Sequence, residues 1–310
     1  MWNGLRIVAP LVLIVLLGAA LKRGGFLNGK DRERMTSLLY WVVLPCLLFR
    51  SMYLSGNVLP KGWNMLLATY LPFFLVPAFA LAVAWARRSG DRRRLALCAM
   101  SAVRANNVYL GLPAVFLAMG ESGQAAASIY IAVMLPGYNL LTTMWGEAVL
   151  SGGLSLKAAI RTLGRLAKNP LVSSCILGLL FALLNIPVHD TLLISMDMVG
   201  KMAVGLALFS LGLGIEFSNL PGALRRTWPD VLIKLFVHPA VSLLCFAIWP
   251  VQDELARAAV LLCAMPTAIN TFILAEGMGM EGDYVSDIIT VSTAAAAITI
   301  PVWLVIMGIS

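Results

Sequence analysis

Apolar stretches of about twenty residues alternate along the chain with short charged runs. Ten such stretches can be drawn, at 4–21, 35–54, 64–86, 95–119, 124–150, 170–187, 192–215, 229–250, 255–278 and 284–308. Each is long enough to cross a hydrocarbon layer about 30 Å thick as a helix. Five precede a basic linker and five follow it, so the chain divides into a first repeat (1–150), a cytoplasmic linker (151–168) and a second repeat (169–310). An odd number of spans per half means that repeated halves insert in opposite orientation. The predicted fold is therefore an all-α polytopic membrane protein, its ten transmembrane helices arranged as two inverted five-helix repeats.

The charge pattern sets the orientation. Loops 1-2, 3-4, 5-6 and 7-8 hold sixteen Lys or Arg, while loops 2-3, 4-5, 6-7 and 8-9 offer only Lys61 and Arg257. Basic loops stay in the cytoplasm, which predicts an inner (plasma) membrane protein with both termini outside. Loop 9-10, with Glu281 and Asp283, lacks this bias. Lys22 and Arg23 follow the first stretch immediately, opposite to the flanking charge of a cleaved export signal, so span 1 is read as a retained helix.

Composition agrees. Sixty per cent of residues are hydrophobic and 12% charged, and mean hydropathy is +0.88, against roughly 45–50% apolar and 25% charged in soluble domains. The net charge of +8 belongs to the loop runs, which argues against a nucleic-acid partner. Five cysteines stand singly in apolar stretches without C-x-x-C spacing, so neither disulfides nor a metal site is expected, and no cofactor.

Polar residues interrupt the pattern at a few places. Arg104-Ala-Asn-Asn-Val-Tyr-Leu-Gly-Leu-Pro113 puts a guanidinium, two carboxamides (Asn106, Asn107), Tyr109, Gly111 and Pro113 inside span 4. Pro113 and Gly111 predict a broken helix there. Span 5 has its own break at Pro136-Gly137 with Tyr138 and Asn139, and span 9 carries Met265-Pro266-Thr-Ala-Ile-Asn270. Freed backbone groups at membrane depth are tolerated only within protein or against water. Interrupted helices at matching positions of two halves point to a midplane site of a secondary transporter. Asp197 and Lys201, four apart in span 7, are expected to pair on one helix face. Arg50 is read as an interfacial residue whose stem snorkels.

Asn106-Asn-Val-Tyr-Leu-Gly-Leu-Pro113, Leu44-Pro-Cys-Leu-Leu-Phe49, Asn169-Pro170, and Met265-Pro-Thr-Ala-Ile-Asn270 with Leu274-Ala275 and Ser292-Thr293 together resemble the auxin efflux carrier family of membrane transporters. The similarity spans nearly the whole chain. It implies a fold like that of the bile-acid sodium symporters, with helices 4 and 9 broken and crossing. It also implies a scaffold of helices 1, 2, 6 and 7, an elevator-like transport domain of helices 3–5 and 8–10, and a homodimer. The family pattern carries over to Asn106, Gly111, Pro113, Pro266 and Asn270; Asn107, Val108 and Arg104 depart from it.

The expected function is transport of a small organic anion, a carboxylate or weak acid, with helix N-termini at the breaks favouring negative charge. Arg104 has three readings: a structural partner of Asp287 or Glu276, a ligand of a substrate carboxylate, or a tethered cation replacing a coupling sodium ion. An inside-negative potential of about 100 mV favours exit of each negative charge by about 2.3 kcal/mol, so uptake requires protons or sodium. Glu276, Asp287 and His238 are the coupling candidates. The alternative is a sodium-coupled organic-anion symporter on the same fold. Neither an H-E-x-x-H nor a G-x-S-x-G motif is present, which speaks against an intramembrane enzyme.

Overall fold

A computed structural model describes residues 2–55, 63–87, 91–151, 170–214 and 220–309. The linker 151–168 lies outside the described residues except for Ser151. Among the described residues the chain is helical apart from turns and one isolated antiparallel bridge. Among the described residues five helical stretches are long and apolar enough to cross a membrane: Gly29–Leu54, Trp63–Ala86, Asp190–Gly214, Leu220–Ile248 and Gly282–Ile306. They coincide with expected spans 2, 3, 7, 8 and 10. A sixth candidate is the bent pair Asn107–Leu135 and Gly137–Leu150.

In the first half, α1 (Trp2–Arg23) leads through a turn to α2 (Gly29–Leu38). Asn28 starts α2 with a capping box: its side chain accepts from Lys30 and Asp31 N–H, and the Asp31 carboxylate accepts from Asn28 N–H. α3 (Leu44–Ser55), α4 (Trp63–Tyr70), α5 (Pro72–Ala86), α6 (Arg92–Ser101) and α7 (Leu112–Ser151) follow. The expected turn between spans 4 and 5 is a sharp kink within α7, where Gly120 has φ 71° and ψ −157°, a conformation open to glycine and costly for other residues. The second half comprises α8 (Pro170–Leu183), α9 (Asp190–Gly214), α10 (Leu220–Leu232), α11 (His238–Ile248), α12 (Asp253–Cys263), α13 (Asn270–Gly277) and α14 (Gly282–Ile306).

Three prolines sit in one recurring local geometry. Pro45, Pro113 and Pro239 are each the second residue of a helix that follows a five-residue π turn, at Leu39–Val43, Asn107–Gly111 and Ile233–Val237. The N–H preceding each proline reaches back five residues: Leu44 to Leu39, Leu112 to Asn107, His238 to Ile233. A proline lacks a donor and crowds the carbonyl four residues back, and the wider turn relieves both. Pro113 therefore widens its helix and does not break it. The break in span 4 lies earlier, over residues 102–106.

Packing groups the elements. α1 lies against α9 with backbone contact, since a Cβ on Gly18 would come 2.6 Å from the Phe209 carbonyl and one on Gly212 would overlap that of Val15. This places the small residues of the Leu208–Gly214 run in a helix interface, as membrane helices use them. α3 packs on α8 and α9. Asp197 bridges Lys201 at 2.7 Å, as its spacing predicts, and also Arg50 at 3.1 Å. Arg50 thus ties α3 to α9. Elsewhere α7 packs against α6 and α12, α10 against α14, and α11 against α5 and α12.

Candidate substrate site at the crossing

Two breaks face each other. Residues 102–106 interrupt the run from α6 to α7, and residues 264–269 separate α12 from α13. The segments run antiparallel and exchange two backbone bonds, Asn106 N–H to Pro266 C=O and Ala268 N–H to Arg104 C=O, each 2.8 Å. Unwound backbone inside a membrane protein must find partners. Here each break supplies them to the other. Ser292 of α14 adds a hydroxyl accepting from Thr267 N–H at 3.1 Å.

Gly111 explains how closely the segments approach. A Cβ there would come within 2.5 Å of a Leu262 methyl and 3.2 Å of Met265. Any side chain there would force the Leu262 side chain to move.

Arg104 is 2% exposed and its guanidinium reaches across all three polar segments. Nε donates to Thr271 Oγ1 at 3.1 Å, Nη1 to Thr142 Oγ1 at 2.7 Å and Nη2 to Asn270 Oδ1 at 3.3 Å, while the plane lies 4.6 Å from the Tyr138 ring centroid. Every one of these partners is neutral. A guanidinium carries five N–H donors, so two remain, one on each terminal nitrogen. Asp287, one of its expected acids, instead meets Arg226 at 3.2 Å. Glu276 has its side chain outside the described residues.

A cavity of about 840 Å³ opens beside this cation. Its walls include Arg104, Asn106, Asn107, Tyr109, Tyr138, Asn139 and Asn270, bringing together seven of the residues singled out from sequence. Gly111 and Pro266 shape the crossing from behind; Pro113 is buried off the cavity wall. His238 sits against Lys234 and Phe73, away from it. Several wall groups lack partners among the described residues. Asn106 Oδ1 accepts from Tyr109 N–H, but Asn106 Nδ2, Asn107 Oδ1 and nearby Thr267 Oγ1 are buried and unbonded. Each such group costs about 1–3 kcal/mol unless water or a ligand satisfies it.

Sequence reading missed Thr142 and Thr271, the hydroxyls that hold Arg104. Thr142 also donates to the Tyr138 carbonyl one turn back, a bond that membrane-helix threonines make routinely. Nothing local marks it as an arginine partner. Among the described residues no group of His, Cys, Asp and Glu could hold a metal ion, and all five cysteines are free.

A helical membrane protein with paired helix breaks around a polar cavity belongs to the class of membrane transporters. Residues 154–304 match the family described as membrane transport protein. A relative from Methanothermobacter thermautotrophicus, named "uncharacterized transporter", is 26% identical over 97% of both chains. A protein of Rhizobium meliloti named "putative malonate transporter" is 22% identical over 95% of this chain and 92% of its own. Auxin efflux carrier component 6 of Arabidopsis thaliana is 24% identical over 43% of this chain and 25% of its own. Over its second half the chain is similar to this membrane transport protein family, and over nearly its whole length to proteins named as transporters; it is a membrane transporter.

Proposed function

We propose that the protein is a secondary transporter for a small organic anion, bound at the crossing and carried by an elevator-type movement. The observation that carries this reading is Arg104: a buried guanidinium on the cavity wall, held by neutral oxygens, with two N–H groups to spare. An intramembrane charge is expensive and is kept for a partner. A carboxylate accepts from both terminal nitrogens at once and neutralises the charge. The carboxamides of Asn106 and Asn107 add a donor and an acceptor for a second polar end, and the relative named for malonate suits a short dicarboxylate.

The packing of the elements supports alternating access. α1, α3, α8 and α9 form one close-packed group with backbone-to-backbone contacts, which suits a static scaffold. The two breaks are bonded to each other, so the crossing moves as one piece with its cargo. The cavity reaches Arg32, Thr36 and Glu147, residues at the basic-loop end of their spans, which supports access from the cytoplasmic face.

The test is a thermal-shift screen of purified protein against mono- and dicarboxylates with and without sodium, since a ligand of the folded state raises its stability. Malonate is expected to shift the melting point, and Arg104→Gln to remove the shift. If no carboxylate shifts it and Arg104→Gln transports at the parental rate in proteoliposomes, the reading fails. A shift that appears only with sodium selects the sodium-coupled symporter instead.

A further inference from the structure

Off the cavity wall, at the end of α12, lies a second buried basic side chain. Lys234 comes from the π turn Ile233–Val237 and is wholly shielded from solvent. Its Nζ donates to the carbonyl of Cys263 at 2.7 Å and lies 3.1 Å from His238 Nδ1. Cys263 is the last residue of α12, so its carbonyl is one of those that the break leaves without an intrahelical donor. Helix C-termini carry partial negative charge and favour cations. Beside the amine stands His238, whose Nε2 is unbonded, and Cys263 Sγ in turn meets Tyr130 Oη at 3.2 Å; no carboxylate pairs with Lys234 among the described residues.

We propose that Lys234 is a tethered cation that occupies the broken C-terminus of α12 in place of a dissociable coupling ion. Transporters with discontinuous helices commonly place a metal cation against such carbonyls. Here the lysine holds the position covalently, so no ion has to bind before the crossing can move. His238 holds the amine in place: with the imidazole neutral and its N–H on Nε2, Nδ1 accepts from Nζ. The π turn matters as well, because it sets the register that aims residue 234 at the end of α12. The inference rests on the crossing being the moving element, but its stability readout does not need a substrate.

The experiment exchanges cations. Wild-type protein is melted in detergent in sodium, lithium or N-methyl-D-glucamine chloride of equal strength, and malonate uptake is measured in proteoliposomes in the same salts at a clamped potential. Neither is expected to change by more than measurement error. Lys234→Ala leaves the Cys263 carbonyl unsatisfied in a cation-sized hole, and its melting point is expected to rise saturably with sodium or ethylammonium while wild type stays fixed. Lys234→Met, which fills the space without charge, is expected to lose uptake, a loss that no added cation restores. Wild-type uptake or stability that requires sodium overturns the proposal. So does parental transport by Lys234→Met, or indifference of Lys234→Ala to every cation. Failure of the transport reading looks different: wild type then shows no malonate shift, whatever the salt.

Discussion

At the residue scale the site turns on the bonds of Arg104. Three of its five N–H groups are committed to Thr271, Thr142 and Asn270, which fix the guanidinium plane against Tyr138. Lysine cannot reproduce that fork, since its ammonium is a point donor on a flexible stem. Arg104→Lys is therefore expected to lose malonate binding nearly as fully as Arg104→Gln. A charge-assisted bond is worth about 1.5–3 kcal/mol, so the loss should be roughly ten- to a hundredfold in affinity, read by calorimetry. Asn106→Ala and Asn270→Ala are expected to abolish transport while leaving folding largely intact. Parental flux in both would remove the crossing from consideration as the site. Thr142→Val keeps the shape of the side chain and deletes one of Arg104's acceptors; its expected effect is weaker binding with the fold intact.

At the scale of elements, the two breaks stabilise each other, and what permits this is the absence of a side chain at Gly111. Gly111→Ala places a methyl 2.5 Å from Leu262. Overpacking of this kind costs about 1–3 kcal/mol, so a lowered melting point and impaired transport are expected together. The scaffold pair behaves differently. Asp197 is about a quarter exposed and Arg50 a third, and such ion pairs contribute about 0–1 kcal/mol. Asp197→Asn should move the melting point slightly and leave malonate affinity within about twofold. A large change in affinity would show that the α3–α9 contact senses the site. The prolines teach a separate lesson about elements: Pro113 reads as a breaker in sequence, yet a π turn before it, as before Pro45 and Pro239, lets the helix continue.

For the whole molecule, the cavity gives a directional prediction. Thr36 and Thr143 lie on its walls toward the basic loops. In a background without the five native cysteines, Thr143→Cys is expected to react with a membrane-impermeant thiol reagent from the cytoplasmic face, and malonate to slow that reaction. Labelling from the outer face alone would invert the assigned orientation. The same geometry bears on energetics. Arg104 and Lys234 are two buried basic side chains at one crossing, and neither pairs with a carboxylate among the described residues. An anion entering the cavity lowers the cost of holding the Arg104 charge in a medium of low dielectric.

Much of this was legible in the chain. Runs of apolar residues specify helices that cross a bilayer because hydrophobicity and backbone satisfaction are local requirements. The same locality marked Arg104, the two carboxamide-bearing breaks and the Asp197–Lys201 pair. What the tertiary structure decided is who meets whom. Arg104 finds Asn270 and Thr271 more than 160 residues away, not Asp287, which Arg226 holds. Span 4 opens at 102–106, and not at its proline, because backbone donors and acceptors from 266–268 are there to receive it. Lys234 acquires a purpose only from the end of a helix 29 residues on. Partners so distant in sequence leave no trace in any local pattern, because pairing energy depends on distance in space, and only packing of the whole chain sets that distance.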